Sequence, residues 1–164
     1  MREIKFRGRD IEGKWLYGDL INSQINNTPT AFIFPADAPN SYDRYSVNPN
    51  TIGQFTGLRD KNGKDIYEGD ILIICEYENQ LQDIKHTEAE CELFTLDEIK
   101  GKLLQKYKSV IHYEDCTLFA SELEGCSIYL ASLAGDMRQS YPIFEYEVIG
   151  NIHDNPELLN GKNE

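Results

Sequence analysis

Apolar and polar positions alternate through the first third of the chain, and the alternation predicts β structure. Ile4 and Phe6 alternate with Lys5 and Arg7, which gives one strand an apolar face and a basic face. Asp10-Ile11-Glu12-Gly13-Lys14 reads as a polar turn, and Trp15–Ile21 as the returning strand, interrupted at Gly18-Asp19. After a polar loop, Thr30–Phe34 is a further short strand stopped by Pro35, whose ring removes a backbone donor. The stretch from Pro35 to Asn50 holds three prolines and reads as a long surface loop. Ile52–Leu58 and Asp65-Ile66-Tyr67 flank a polar tip in which Asn62-Gly63 is a strong hairpin signal, both residues tolerating a left-handed backbone. Gly69-Asp70 then forms a corner before Ile71–Cys75, a continuous apolar run of the kind found in buried strands. Tyr17-Gly18-Asp19-Leu20-Ile21 and Tyr67-Glu68-Gly69-Asp70-Ile71-Leu72 echo each other, each following a Gly-Lys tip, so similar corners are expected twice.

The pattern changes in the middle. Residues 79–94 are polar, lack clean periodicity and read as an acidic insertion. Thr95 and Glu98 have capping-box spacing. Leu96, Ile99, Leu103 and Tyr107 follow at near-helical intervals, with Leu104 widening the stripe, which predicts a helix over about 96–107 packed on the core. Lys100, Lys102, Lys106 and Lys108 crowd its second half, where cations complement the helix dipole. Beyond it, Ser109–Tyr113 and Thr117–Ser121 read as a hairpin around Glu114-Asp115, and Ile128–Leu133 and Phe144–Ile152 as further strands. The fold class is therefore β-rich α+β, one domain over 1–159 with a mobile tail at 160–164.

Length and charge narrow the function. A chain of 164 residues can bury a core without disulfide or metal staples. Four cysteines spaced 16, 25 and 10 positions apart include no C-x-x-C pair, and with no secretion signal they read as reduced, structural thiols. No apolar run approaches a membrane span, so the expected compartment is the cytoplasm. The net charge of −12 is uneven: Glu76–Glu98 carries eight acids against one lysine, while the first fourteen residues carry five bases and three acids. Nucleic acid is a poor partner for so acidic a chain, because a binding face must offset phosphate charge. The exception left open is a basic strip of Arg2, Lys5, Arg7 and Arg9 on the N-terminal strand. The acidic run reads as a solvated face.

Reaction chemistry is not legible. No nucleophile elbow or metalloprotease helix occurs, and His86, His112 and His153 do not pair with the cysteines as zinc ligands. Gly53-Gln54-Phe55-Thr56-Gly57 is glycine-rich but lacks the Gly-Lys-Ser/Thr ending and following helix of a phosphate loop. Trp15, Tyr17, Phe32, Phe34 and Phe55 are read as core aromatics rather than a base-stacking surface. No catalytic, cofactor-binding or metal-binding residue is assigned.

Three segments resemble the YopX family of bacteriophage and prophage proteins: IKFRGRD with GKW and YGDLI near the start, TIGQFTGLRDKNGKDIYEGDIL over Thr51–Leu72, and YEVIGNIHDNPELL over Tyr146–Leu159. The resemblance implies a mostly β pseudo-barrel capped by a helix, assembly into a homo-oligomer, a phage or prophage origin in a bacterial host cell, and a family of unestablished biochemical function. Gly53, Gly57, Asp60, Gly63, Tyr67, Gly69, Asp70 and Gly150 match its pattern and are given structural roles. The expected function is a non-enzymatic accessory module that binds a host or phage protein. The alternatives are an oligomeric β-barrel that binds or hydrolyses a small molecule such as a nucleotide, and nucleic-acid binding through the basic N-terminal strand.

Overall fold

Two turns of the same design organise the first half of the molecule. In each, an aspartate starts a D-x-x-G-K segment, and its carboxylate accepts the backbone N–H groups two and four residues on: Asp10 from Glu12 and Lys14, both at 2.9 Å, and Asp60 from Asn62 at 2.8 Å and Lys64 at 2.9 Å. The backbone closes the loop in the same way, Asp10 N to Lys14 O at 3.0 Å and Asp60 N to Lys64 O at 2.8 Å. Only the glycine needs positive φ, +83° at Gly13 and +79° at Gly63, so Asn62 does not take the left-handed conformation expected of it. The two-residue left-handed turn lies elsewhere, at Asn26 and Asn27, with φ of 50° and 61°.

A computed structural model describes residues 3–35, 38, 40, 43–79, 100–114, 117–122, 127–129 and 143–160. These form eleven strands: β1 (Phe6–Arg9), β2 (Trp15–Ile25), β3 (Thr28–Pro35), β4 (Tyr45–Val47), β5 (Gly53–Arg59), β6 (Asp65–Tyr67), β7 (Asp70–Asn79), β8 (Lys100–Glu114), β9 (Thr117–Glu122), β10 (Ser127–Tyr129) and β11 (Ile143–Asn151). The first sheet runs β4-β3-β2-β1-β5-β6 and the second β10-β9-β8-β7-β11, every pairing antiparallel. The long loop expected after Pro35 contains β4 and a 3₁₀ turn at Pro49–Thr51, whose Asn48 side chain accepts from Asn50 N. The hairpin expected at residues 109–121 is formed by β8 and β9.

Two expectations are corrected. The sheets stay open, so the described residues form no closed barrel. They contain no α-helix either, and residues 100–107 of the expected helix belong to β8. Pairing with β7 overrides the local helical pattern, and a bulge accounts for it: Glu76 lies opposite Gln105 and Tyr77 opposite Leu103, leaving Leu104 as the extra residue. Leu103 and Leu104 are both exposed, so the stripe is not a buried helix face. The insertion beyond Asn79, the capping box at 95–98 and the tail at 161–164 lie outside the described residues.

Strand alternation supplies two cores. Leu16, Ala31, Ile33 and Val47 gather one face of the first sheet, with Phe6, Leu20 and Ile52 packed against them. Ile66 of β6 joins Leu72, Ile74 and Ile111 of the second sheet, covered by Leu58, Phe144, Tyr146 and Val148. Backbone bonds tie the sheets at the Gly69 corner, where Gly69 N donates to Ile111 O at 2.8 Å and Gly69 O accepts from Ile152 N at 2.9 Å. The Asp60 tip also covers the outer edge of β11: Lys61 N donates to Tyr146 O at 2.9 Å, and Val148 N to the Asp60 carboxylate at 3.2 Å.

Burial opposes ionisation of Asp60, but the N–H groups of Lys64, Val148 and Asn62 outweigh it and hold its pKa below the ordinary 3.8. A carboxylate depressed in the fold contributes stability that is complete above its unfolded pKa and is lost as pH falls through the lower folded value. Asp60→Asn is therefore expected to cost about 1–2 kcal/mol at neutral pH. It should also flatten the acid limb of the stability curve below about pH 4, measured by urea unfolding across pH.

Candidate functional site

The basic residues of β1 all fall on the face of the first sheet opposite its core. Arg7 lies across from Tyr17 and Arg9 across from Trp15, and side chains directly opposite in register share a face. Asp19 pairs with Phe34 and Ile21 with Phe32, so the same face continues over β2 and β3 as a mixed aromatic and charged surface.

Arg7 is only 5% exposed, and Asp70 only 1%. The Arg7 guanidinium donates to Asp70 Oδ1 at 2.6 Å and to Glu68 O at 2.9 Å, and it lies 4.8 Å from the Trp15 ring centroid and 5.2 Å from that of Tyr67. The second oxygen of Asp70 accepts Tyr67 N at 2.8 Å. Burial pushes the Asp70 carboxyl up, against the pull of Arg7 and the Tyr67 amide. This pair fastens β1 to the start of β7 and sets the floor of the face.

Lys5, Arg9 and Arg59 are also paired, whereas Lys14, Arg44 and Lys64 line the same face without an ion pair among the described residues. Lys5 lies between Asp65 at 2.5 Å and Glu3 at 3.2 Å, over the Phe55 ring. Arg59 reaches the other Asp65 oxygen at 2.8 Å. Arg9 pairs with Asp154, whose second oxygen accepts Trp15 Nε1 at 2.7 Å. His153 packs its ring 5.9 Å from Trp15, and burial, reinforced by Arg7 and Arg9, lowers its pKa from 6.5. Tyr67, between Tyr17 and Phe55, has its hydroxyl pushed up to about 12 by burial.

An open groove of about 1650 Å³ runs along this face. Its walls include Trp15, Tyr17, Phe34 and Tyr67, and its rim carries exposed apolar side chains: Ile11 at 95%, Ile4 at 64% and Tyr17 at 48%. Tyr17 was expected in the core with Trp15, Phe32, Phe34 and Phe55. Phe55 is buried as expected, whereas Trp15, Phe32 and Phe34 are half-buried and Tyr17 is exposed. Among the described residues no three His, Cys, Asp or Glu side chains gather as a metal site, and no helix is long and apolar enough to cross a membrane.

The residues singled out in the sequence scatter around the groove rather than converging in it. Tyr67 lines the groove and Asp70 anchors Arg7 beneath it. Gly53 packs against the Glu68 carbonyl, Gly57, Gly63 and Gly69 hold positive φ, and Gly150 lies against Asn155 at the bulge in β11. Asp60 pins the tip to β11. The hydrogen bond from Trp15 to Asp154, which seats the ring beside His153, had no local signal, because the two residues lie 139 positions apart in the chain.

The family model described as YopX protein matches residues 5–160, and the chain belongs to that family. Among solved structures it is similar to the crystal structure of protein EF1440 from Enterococcus faecalis, at 25% identity over 97% of this chain and 99% of that one, with a TM-score of 0.47. A comparison with curated proteins finds no match.

Proposed function

We propose that this YopX-family protein is a phage- or prophage-encoded accessory module, without catalytic activity, that binds a host or phage protein through the aromatic face of its first sheet. The observation that carries this reading is a division of labour on that face. Lys5, Arg7 and Arg9 are each held by carboxylates of the same chain, while Ile4, Ile11 and Tyr17 stand exposed around the groove. The groove sets Lys5, Arg7, Lys14, Arg44 and Lys64 against Glu3, Asp10, Glu12, Asp19 and Asp65, so its lining offers a phosphate backbone no net positive charge, which weighs against nucleic-acid binding. Exposed isoleucine and tyrosine beside a groove are what a protein partner buries, and tyrosine is among the residues that dominate such contacts. The groove is wider than the ~300–1,000 Å³ that encloses a small ligand, which weighs against the nucleotide-binding alternative.

The test is affinity capture from phage-infected host cells with the wild-type protein and with an Ile11→Ser, Tyr17→Ser variant. A partner recovered by the wild type is expected to fall about tenfold or more with the variant and to survive nuclease treatment. Equal recovery by both proteins, or loss on nuclease treatment, would refute the proposal. A nucleotide panel is expected to leave the melting temperature unchanged at millimolar ligand, and a stabilisation rising with concentration would favour the small-molecule alternative.

A further inference from the structure

We infer, resting on the protein-binding role above, that the Asp10–Ile11 tip holds its partner as an extended strand, gripping the backbone as the Asp60–Lys61 tip grips β11 within the chain. The second tip shows what this turn can hold. Lys61 N donates to Tyr146 O at 2.9 Å, and Val148 N donates to Asp60 Oδ2 at 3.2 Å. Tyr146 O and Val148 N flank Glu147 on one edge of β11, the two groups that a single residue engages when it lies alongside in a parallel pair. The tip thus stands in for one residue of a further strand, with a carboxylate oxygen in place of the carbonyl. The side chains follow the same alignment, Lys61 meeting Glu147 at 2.7 Å.

The first tip repeats the design with its outward groups free. Asp10 Oδ1 takes both turn amides, those of Glu12 and Lys14, as Asp60 Oδ1 takes those of Asn62 and Lys64. Gly13 N donates to Asp10 O at 3.1 Å, and Gly63 N to Asp60 O at 2.9 Å. Asp10 Oδ2 and Ile11 N are the counterparts of the two groups that hold β11, and they bond no group among the described residues. The tip stands clear of the rest of the molecule: Ile11 is 95% exposed, and Glu12, Gly13 and Lys14 are exposed beside it.

The side chains of the tip select the occupant. Ile11 takes the place of Lys61, so the residue of the partner strand that matches Glu147 is apolar. Glu12 stands where the second tip has Asn62, and neither Asp10 nor Glu12 has an ion pair among the described residues. A lysine or arginine one or two positions from the apolar residue complements that charge. Asp10, Ile11, Glu12 and Lys14 line the groove together with Tyr17, so a strand held at the tip has the aromatic face beside it. In strand addition of this kind the main-chain bonds supply affinity and the side-chain contacts supply selectivity.

Two substitutions separate a backbone grip from apolar contact alone. Asp10→Asn keeps an oxygen for the turn amides but puts an NH2 group where the strand amide must be accepted, so that two donors face each other. Ile11→Pro removes the outward N–H and suits the turn. Ile11 is the second residue of the four closed by Gly13 N on Asp10 O, neither it nor Glu12 has positive φ, and proline is favoured at that place.

Selection on the wild-type protein from a ribosome-displayed library of random linear peptides, about twelve residues long, is expected to enrich an apolar residue flanked by lysine or arginine. Binding of an enriched synthetic peptide should fall about tenfold or more with Asp10→Asn and with Ile11→Pro, and less with Ile11→Ala, which keeps the N–H. N-methylation of the peptide amide that follows the apolar residue should cause a similar loss without altering the protein. No enrichment over the Ile11→Pro protein, or enriched peptides that bind both backbone variants as tightly as the wild type, would overturn the inference. So would a wild type that dimerises in sedimentation equilibrium and becomes monomeric with Ile11→Pro, since the occupant would then be a second copy. Loss of the captured partner with Ile11→Ser, Tyr17→Ser alongside any of these results would keep the aromatic face as the docking surface and reject only the backbone grip.

Discussion

Asp70→Asn is expected to lower the unfolding free energy by about 3–5 kcal/mol. The exchange keeps an acceptor for Tyr67 N and removes the charge that faces Arg7, so it leaves a guanidinium buried at 5% exposure without its counter-ion. Arg7 is held between the Trp15 and Tyr67 rings and the Glu68 carbonyl, none of which can replace the lost negative charge. Arg7→Met should cost less than Asp70→Asn, because its stem can fill the same space between the two rings and the residual carboxyl can take up a proton. The double variant Arg7→Met, Asp70→Asn is expected to be more stable than the sum of the single changes by roughly 2–3 kcal/mol, the signature of coupled partners. Urea unfolding followed by Trp15 fluorescence measures all three, since Trp15 is the only tryptophan and stacks on Arg7. Additive losses would show that the two residues act separately.

The second large effect is expected from Gly53→Ala, a loss of about 2–3 kcal/mol from overpacking. A Cβ at this position would lie 2.5 Å from the Glu68 carbonyl oxygen, closer than real contacts allow. That carbonyl accepts from Arg7, and Glu68 N donates to Gln54 O at 2.9 Å, so the corner cannot yield without disturbing the ion pair. Trp15 fluorescence should shift along with the stability, whereas Gly63→Ala, with open space around its Cβ, should cost only the strain of its φ of +79°. A Gly53→Ala protein as stable as the wild type would remove the close approach from the account.

Local chemistry made part of this legible. The D-x-x-G-K turns, the apolar run entering β7 and the β8–β9 hairpin are written in residues that are near neighbours in the chain, and the echo between the two turns reflects one hydrogen-bond scheme used twice. What stayed hidden depends on distant partners. Arg7 reads as one member of a basic strip, and only the return of Asp70 sixty-three positions later turns it into a buried pair. Leu103 and Leu104 mimic a helical stripe because a strand bulge also places two apolar residues in succession. The Asn26–Asn27 turn was read as part of a polar loop, since its polar flanks hide a ladder that continues from Gly18 to Ile25. Tyr17 alternates like a core residue, yet its register with Arg7 assigns it to the outer face.

The same register sets the basic residues of the N-terminal strand on one face. Its cations are spent in joining β1 to Asp65, Asp70 and Asp154, and the aromatic rings above them are what the face presents. The direct measurement is the affinity of the captured partner, purified, for the wild type and the Ile11→Ser, Tyr17→Ser variant at ~0.1 M and ~0.5 M salt. The account predicts a loss of about tenfold or more on substitution and little change with salt. Unchanged affinity in the variant, together with a steep fall as salt rises, would contradict it.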